Sequence, residues 1–308
     1  MAWDLRRGLL WCSFRYDCGE AMTRAILGII GGSGFYDLPG LEKVEELSTV
    51  SPWGEPSDKL RRGEIGGNPL VFLARHGRGH RQPPSDINYR ANIDCLKRAG
   101  VTDLVSLAAC GSFREEIPPG NFVLVDQFID RTFHRAASFF GSGCVGHVSM
   151  AHPVGPKLLE RIAEAAKIEG IPFTKGGTYV CTEGPQFSTK AESLACAAEG
   201  WTVIGMTSMP EAKLAREAEI TYATVAMVTD YDSWHDEVVD AAMVLRVMNE
   251  NSSKAAKLIT RLARSFPAER EPCPAGSHRA LDFAIITAPE FRDPVLIKKL
   301  DAVAGRVL

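Results

Sequence analysis

The chain has 308 residues, 45% of them apolar and 24% charged, the balance of an ordinary globular protein with material for a large core. Its formal net charge of -3 comes from dispersed residues, which excludes a broad electrostatic grip on nucleic acid or acidic lipid, and no apolar run approaches the roughly 20 residues that cross a bilayer. Eight cysteines show neither a CxxC pair nor paired zinc spacing, so they read as reduced thiols of a cytoplasmic protein.

In chain order, MAWDLRRGLLWCSFRYDCGEAM carries two arginines ahead of Leu-Leu-Trp-Cys, but the apolar stretch is too short for a secretion signal and no small-residue cleavage site follows. Regular patterning begins directly after Met22, which makes residues 1–24 an expected poorly ordered extension and Met22 an alternative start. Ala25 to Gly32 reads as a buried strand running into a glycine turn that holds Ser33. RRGEI and PLVFLA around Gly66-Gly67-Asn68 read as a hairpin delivering Arg75 and His76. Ser85-Asp86 is expected to cap a helix over 87–99, followed by a strand from Val101 to Ala109 that Gly111 breaks.

The alternation continues with strands near 122–126, 178–182, 202–206 and 221–229, and helices near 156–169, 190–199 and 210–217, before a long helix that ends near Arg264. Phe266 to Arg279, with three prolines, suits an exposed connection, and a last helix covers about 294–303. This is the pattern of an α/β fold: a main domain over 25–265, and a tail over 266–308 packed on the same domain or on a neighbouring subunit.

Chemistry-bearing residues gather at strand ends. Gly31-Gly32-Ser33-Gly34 lets backbone N–H groups converge on an oxyanion, but fits neither G-x-G-x-x-G nor a Walker loop, and alone is as readily a tight turn. Arg75-His76-Gly77-Arg78-Gly79-His80 offers a guanidinium able to hold phosphate through two parallel hydrogen bonds, and imidazoles that can donate another. His76 and His80 have the i, i+4 spacing of helical zinc ligands, yet the glycines between them argue against a helix and a metal is not expected. Ala108-Ala109-Cys110-Gly111-Ser112 allows close backbone approach; an isolated cysteine such as Cys110 more often packs than attacks. Phe187 and Ser188 in TEGPQFS, then Met206-Thr207, then Asp230 and Asp232 offer a ring to stack on a base, a thioether to back a sugar and two carboxyl groups to meet base nitrogens. An isolated D-x-D is more often a helix cap or a solvated turn.

Taken together, IIGGSGFYDLPG, ARHGRGH, NYRANI, AACGSFREEIPPG, DQFIDRT, TEGPQFST, MTSMPEA and VTDYDSW resemble the methylthioadenosine phosphorylases of the purine nucleoside phosphorylase family, in order from about Ile26 to Lys257. The resemblance implies a single α/β domain with a central mixed β-sheet flanked by helices, assembled as a homotrimer. It implies phosphorolysis of methylthioadenosine, with inorganic phosphate as co-substrate and no organic cofactor or metal. Carried over by position, Ser33, Arg75, His76, Ala108, Ala109 and Thr207 surround phosphate; Cys110, Phe187, Ser188 and Met206 pack on the nucleoside; Asp230 and Asp232 read adenine and serve as the catalytic pair. His80, Pro84, Leu245 and, from an adjacent subunit, His147 match the methylthio pocket. Two departures stand out: Ala108 replaces a threonine of animal relatives, removing a donor, and the segment between Trp234 and Val244 is about two residues shorter.

A 6-oxopurine would present an acceptor where adenine presents its amino group, so the acidic pair favours adenine over inosine, guanosine or methylthioinosine as the nucleoside. A thiol hydrolase built on Cys110 and a non-catalytic nucleotide-binding module are the readings from other classes.

Overall fold

The computed structural model describes residues 23–235 and 241–308. Among these, eleven strands form one mixed sheet. β1 (Leu27–Gly31) is apolar throughout because it lies between two parallel neighbours, β4 (Asn68–Ala74) and β5 (Asp103–Ser112), with no face toward water. From β4 the sheet runs antiparallel through β3 (Leu60–Ile65) to β2 (Glu42–Leu47) at its edge. Ile65 pairs with Asn68, so Gly66 and Gly67, at φ of 59° and 83°, are the two-residue turn of the expected hairpin. β2 was not expected: EKVEEL has no apolar alternation, and as an edge strand with almost every side chain in water it needs none.

On the other side β11 (Thr221–Asp230) lies parallel to β5, then β6 (Phe122–Val125) antiparallel to β11, then β8 (Phe173–Lys175). The last residues of β5 also pair with β10 (Val203–Gly205), which continues into β9 (Thr178–Thr182) and β7 (Gln127–Arg131). β5 thus runs through Gly111 instead of breaking there, because Gly111 is paired with both Ile204 and Asp230.

Alternate side chains of β5 and β11 feed two cores, as the two-residue strand period requires. Leu104, Ala108, Tyr222 and Ala226 join one, covered by α1 (Tyr89–Arg98), α4 (Ser208–Glu217), α6 (Pro294–Lys299) and α7 (Asp301–Ala304). Val105, Leu107, Val225 and Met227 join the other, covered by α2 (Pro156–Ile168) and α5 (Ala241–Arg264). α3 (Lys190–Ala198), with a Thr189/Glu192 capping box, covers a smaller cluster around Val180 and Ile204.

α1 starts later than the sequence suggests. Asn88 is its cap, its side chain accepting the Ala91 N–H at 3.1 Å, because the Ser85 hydroxyl is committed to Glu183. The stretch from Phe266 to Arg279 is not wholly exposed: Phe266, Cys273 and Ser277 are buried, and the Arg270 N–H donates to the Thr23 carbonyl at 2.8 Å. Beyond it, the expected single helix is divided at Leu300, and Leu300, Val303 and Ala304 are buried in the α1-side core. The expectations for residues 1–22 and for the shortened segment at 236–240 lie outside the described residues.

Candidate active site

β4, β1, β5 and β11 run parallel, so their carboxyl ends share one edge, the usual place for a ligand crevice in an α/β sheet. β9 and β10 end there as well, and the six strand ends enclose a cavity of about 410 Å³. Ser33, Arg75, His76, Ala108, Ala109 and Thr207 line it at one end. Cys110, Phe187, Ser188, Met206, Asp230 and Asp232 also line it, as do His80 and Pro84.

At the first end, Gly32 brings backbone against the sheet: a Cβ there would lie 2.4 Å from the Leu107 carbonyl oxygen and 3.0 Å from Arg75 Nη1. Arg75 is fully buried, and this changes the role expected of it. Its Nε and Nη2 donate to Glu211 at 2.8 and 3.1 Å, Nη2 also donates to the Ser106 hydroxyl, and Nη1 donates to the Leu107 carbonyl at 3.0 Å. Of five N–H donors one, on Nη1, is left for a ligand, so the two-pronged grip on phosphate is given to a carboxylate instead. The cause is burial: a guanidinium sealed from water needs a fixed counter-charge whether or not phosphate is present. Glu211 is in turn bound by the Tyr222 hydroxyl at 2.9 Å.

His76 Nδ1–H donates to the Gln82 carbonyl at 2.9 Å. Burial first, and then neighbouring Arg75, lower its pKa to about 4, so the ring is neutral at pH 7 and Nε2 carries a lone pair. That nitrogen suits a protonated phosphate oxygen rather than a bare one. His80 stacks on His76, ring centres 4.3 Å apart, and its Nδ1 meets the Tyr36 hydroxyl at 2.8 Å. Thr207 stands just before α4 with no cap hydrogen bond from its hydroxyl.

At the other end the Asp230 carboxylate accepts the Asp232 N–H at 2.8 Å on one oxygen and the Thr229 hydroxyl at 2.7 Å on the other. Asp232 Oδ2 is buried with no hydrogen bond of good geometry among the described residues, although the Ser193 and Ser188 hydroxyls lie close enough to favour its charged form. Burial is the main cause raising both carboxyl pKa values above the usual carboxylate range; the mutual charge adds to it at Asp230. Gly111 makes room for the pair: a Cβ would lie 2.9 Å from Asp230 Oδ1 and 3.0 Å from Asp232 Cβ. Gly111→Ala should therefore cost about 1–3 kcal/mol of stability and displace both carboxylates, read as a lower urea midpoint together with a raised KM for nucleoside. Burial pushes the Cys110 thiol well above its ordinary range, with Asp230 adding to the effect, so it stays protonated and unreactive.

One expected pocket residue of this chain is not brought to the cavity. Leu245 is 55% exposed; its helix does form a wall, but through Val244 and Met248, which share the i, i+4 face, and one residue's step turns Leu245 away by roughly 100°. His147, expected to serve an adjacent subunit, is exposed and lies outside the cavity of its own chain, its backbone N–H donating to the Ala284 carbonyl of the tail at 2.8 Å. Sequence reasoning passed over Arg81, Val244 and Met248 in the wall, and Glu211 behind it. Arg81 directly follows the RHGRGH run and could have been found there; nothing in the sequence pairs Arg75 with Glu211.

Residues 26–264 match the family model of the phosphorylase superfamily. The chain is 68% identical to an S-methyl-5'-thioadenosine phosphorylase of Bradyrhizobium diazoefficiens, over 93% of this chain and 99% of that protein. It is 58% identical to one of Cereibacter sphaeroides, over 92% and 99%. Among solved structures it is similar to a methylthioadenosine phosphorylase from an antarctic soil metagenomic library, with a TM-score of 0.83 at 41% identity, covering 91% of this chain and 99% of that one. A Schistosoma mansoni methylthioadenosine phosphorylase in complex with adenine gives a TM-score of 0.72 at 35% identity over 78% of this chain and 91% of that one. Sheet, cavity and sequence thus agree, and the chain belongs to the phosphorylase superfamily.

Proposed function

We propose that the protein cleaves S-methyl-5'-thioadenosine with inorganic phosphate, giving adenine and S-methyl-5-thio-α-D-ribose 1-phosphate in purine and methionine salvage. The observation that carries this reading is one continuous cavity with a polar anion cradle at one end and two buried carboxyl groups at the other. The names of the similar proteins support the same substrate.

Phosphate sits among Ser33, Arg75, His76, the Ala109 backbone and Thr207, with a protonated oxygen toward His76 Nε2. The purine lies toward Asp230 and Asp232, its 6-amino group donating to an acidic oxygen, and the sugar lies between them against Met206. As the C1′–N9 bond lengthens, the electron pair moves into the purine, protonated Asp230 donates to N7, and a phosphate oxygen attacks C1′ from the opposite face. The bond formed is C1′–O, the bond broken C1′–N9, and the proton taken by the base comes from Asp230. No metal or organic cofactor takes part in these steps.

The apolar 5′ end is walled by Val244, Met248 and Pro84, which suits a thioether. We place His147 at this end of a neighbouring copy in a homotrimer: it is flanked by Val145, Phe283 and Ile286, apolar side chains exposed on one chain alone. The reduced thiols suit a cytoplasmic enzyme, and among the described residues no helix is long and apolar enough to cross a membrane.

Incubation with methylthioadenosine should release adenine with phosphate present and almost none without it. Adenosine and methylthioinosine, run in the same assay, should each be slower by at least about ten-fold, the worth of roughly 1.4 kcal/mol in a pocket contact. Release of base independent of phosphate would instead favour a hydrolase.

A further inference from the structure

Behind the cavity, outside its lining, one guanidinium ties three of its walls together. Arg135 follows β7, and its side chain is 1% exposed. Its Nη1 donates to the carbonyls of Met206 and Met209 at 2.6 and 2.7 Å. Its Nη2 donates to the Glu183 carbonyl at 2.8 Å and reaches the Ser85 hydroxyl and the Thr182 carbonyl at 3.4 and 3.5 Å. Nε donates to the Glu183 carboxylate at 3.2 Å, and the Tyr89 ring lies 5.5 Å from the guanidinium. These acceptors engage all five N–H donors of the planar fork.

What they belong to decides what the residue does. Glu183 opens the loop that carries Phe187 and Ser188; Met206 to Met209 brackets Thr207; Ser85 adjoins Pro84. The Glu183 carboxylate also accepts the Phe133 N–H at 2.7 Å, so the segment bearing Arg135 is itself fastened to that loop. Most of the contacts are to carbonyl oxygens, and carbonyls fix the course of the backbone rather than one rotamer. By contrast the rest of the phosphate cradle, Ser33, Arg75, His76 and Ala109, stands on or just after β1, β4 and β5, none of which bonds Arg135 through a side chain or a carbonyl, so Thr207 alone of the cradle lies in a segment that Arg135 holds.

We propose that Arg135 is a positioning residue for phosphorolysis, setting the sugar-and-base wall of Phe187 and Met206 at attacking distance from a phosphate cradle that, apart from Thr207, is built on other strands. This rests on the phosphorolytic reading of the cavity. In-line displacement needs the phosphate oxygen and C1′ in near-attack geometry, and a misplacement of about 1 Å costs on the order of 100-fold in rate. Arg135 touches neither substrate, so its loss acts on their separation more than on the affinity of phosphate.

The test compares wild type, Arg135→Met and Arg135→Lys. It measures adenine release from methylthioadenosine, phosphate binding by calorimetry without nucleoside, and the thermal midpoint of each protein. Arg135→Met should lose about 100-fold in kcat/KM for nucleoside while its phosphate Kd, touched only through Thr207, rises by no more than about ten-fold. Arg135→Lys keeps the charge but cannot reach the Met206, Met209 and Glu183 carbonyls together, and should lose about ten-fold with phosphate Kd within about three-fold of wild type. If the methionine variant does not fold, the lysine variant decides on the same two readings. Turnover within about three-fold of wild type, or phosphate affinity falling in step with turnover, overturns the inference. Wild type that releases no adenine overturns the phosphorolytic reading along with it, whereas an active wild type beside an equally active variant overturns the role of Arg135 alone.

Discussion

Asp230→Asn should lower kcat by roughly three orders of magnitude while leaving the affinity for phosphate almost unchanged. The amide keeps the shape of the carboxyl group and still has an N–H to offer N7. What it lacks is a proton it can surrender, so the substitution separates proton donation from hydrogen bonding. The setting supports proton donation: Asp230 is 8% exposed, and burial first, with repulsion from Asp232 added, raises its pKa above the usual carboxylate range. Hydrogen bonds from Thr229 and from the Asp232 N–H pull the other way and hold the carboxyl in register.

The sign for activity follows. The protonated form is the active one, so wild-type kcat should fall as pH rises through the raised pKa, and the asparagine variant should lack that limb. A variant with normal kcat and weakened phosphate binding would move Asp230 out of the acid role altogether. So would a variant whose pH profile runs parallel to that of wild type.

Glu211→Ala should destabilise the fold by about 3–5 kcal/mol, because it leaves the buried Arg75 charge without its counter-charge. The Arg75–Glu211 pair is sealed, with side chains 0% and 1% exposed, and the Tyr222 hydroxyl loses its acceptor in the same step. Urea unfolding should show the midpoint falling at constant slope. Arg75→Met combined with Glu211→Met removes both charges and should lose less stability than Glu211→Ala alone, although its phosphate site is damaged. A single variant no less stable than wild type would mean that Arg75 does not need its partner. The opposite pattern, a double variant worse than the single, would mean that packing and not charge holds this place.

Much of the cavity was legible because its residues stand where strands end, and strand ends can be read from apolar runs stopped by glycine or by polar residues. Ser33, His76, Thr207 and Asp230 are of this kind. The 5′ wall was harder: helical residues one position apart point about 100° apart, and a one-residue slip exchanged Val244 for Leu245. The role of Arg75 could not be read at all, since Glu211 lies 136 positions away in the sequence and only the fold brings them together. Edge strand β2 and the short β8 left no periodic signal, the one because water covers it and the other because three residues are too few. Arg135 shares that difficulty, since every carbonyl it binds is main chain, and main chain has no letter in the sequence.

The pairing of Arg75 with Glu211 has a consequence for the traffic of phosphate through the site. Because the buried cation is already neutralised, the floor itself offers an arriving dianion oriented donors and little net charge, and the other cation of the wall is Arg81. Ions in solution therefore have little to screen at the floor, and screening acts on exposed Arg81 instead. A floor of this kind holds phosphate by hydrogen bonds more than by charge, so raising the ionic strength should weaken binding only by what Arg81 contributes.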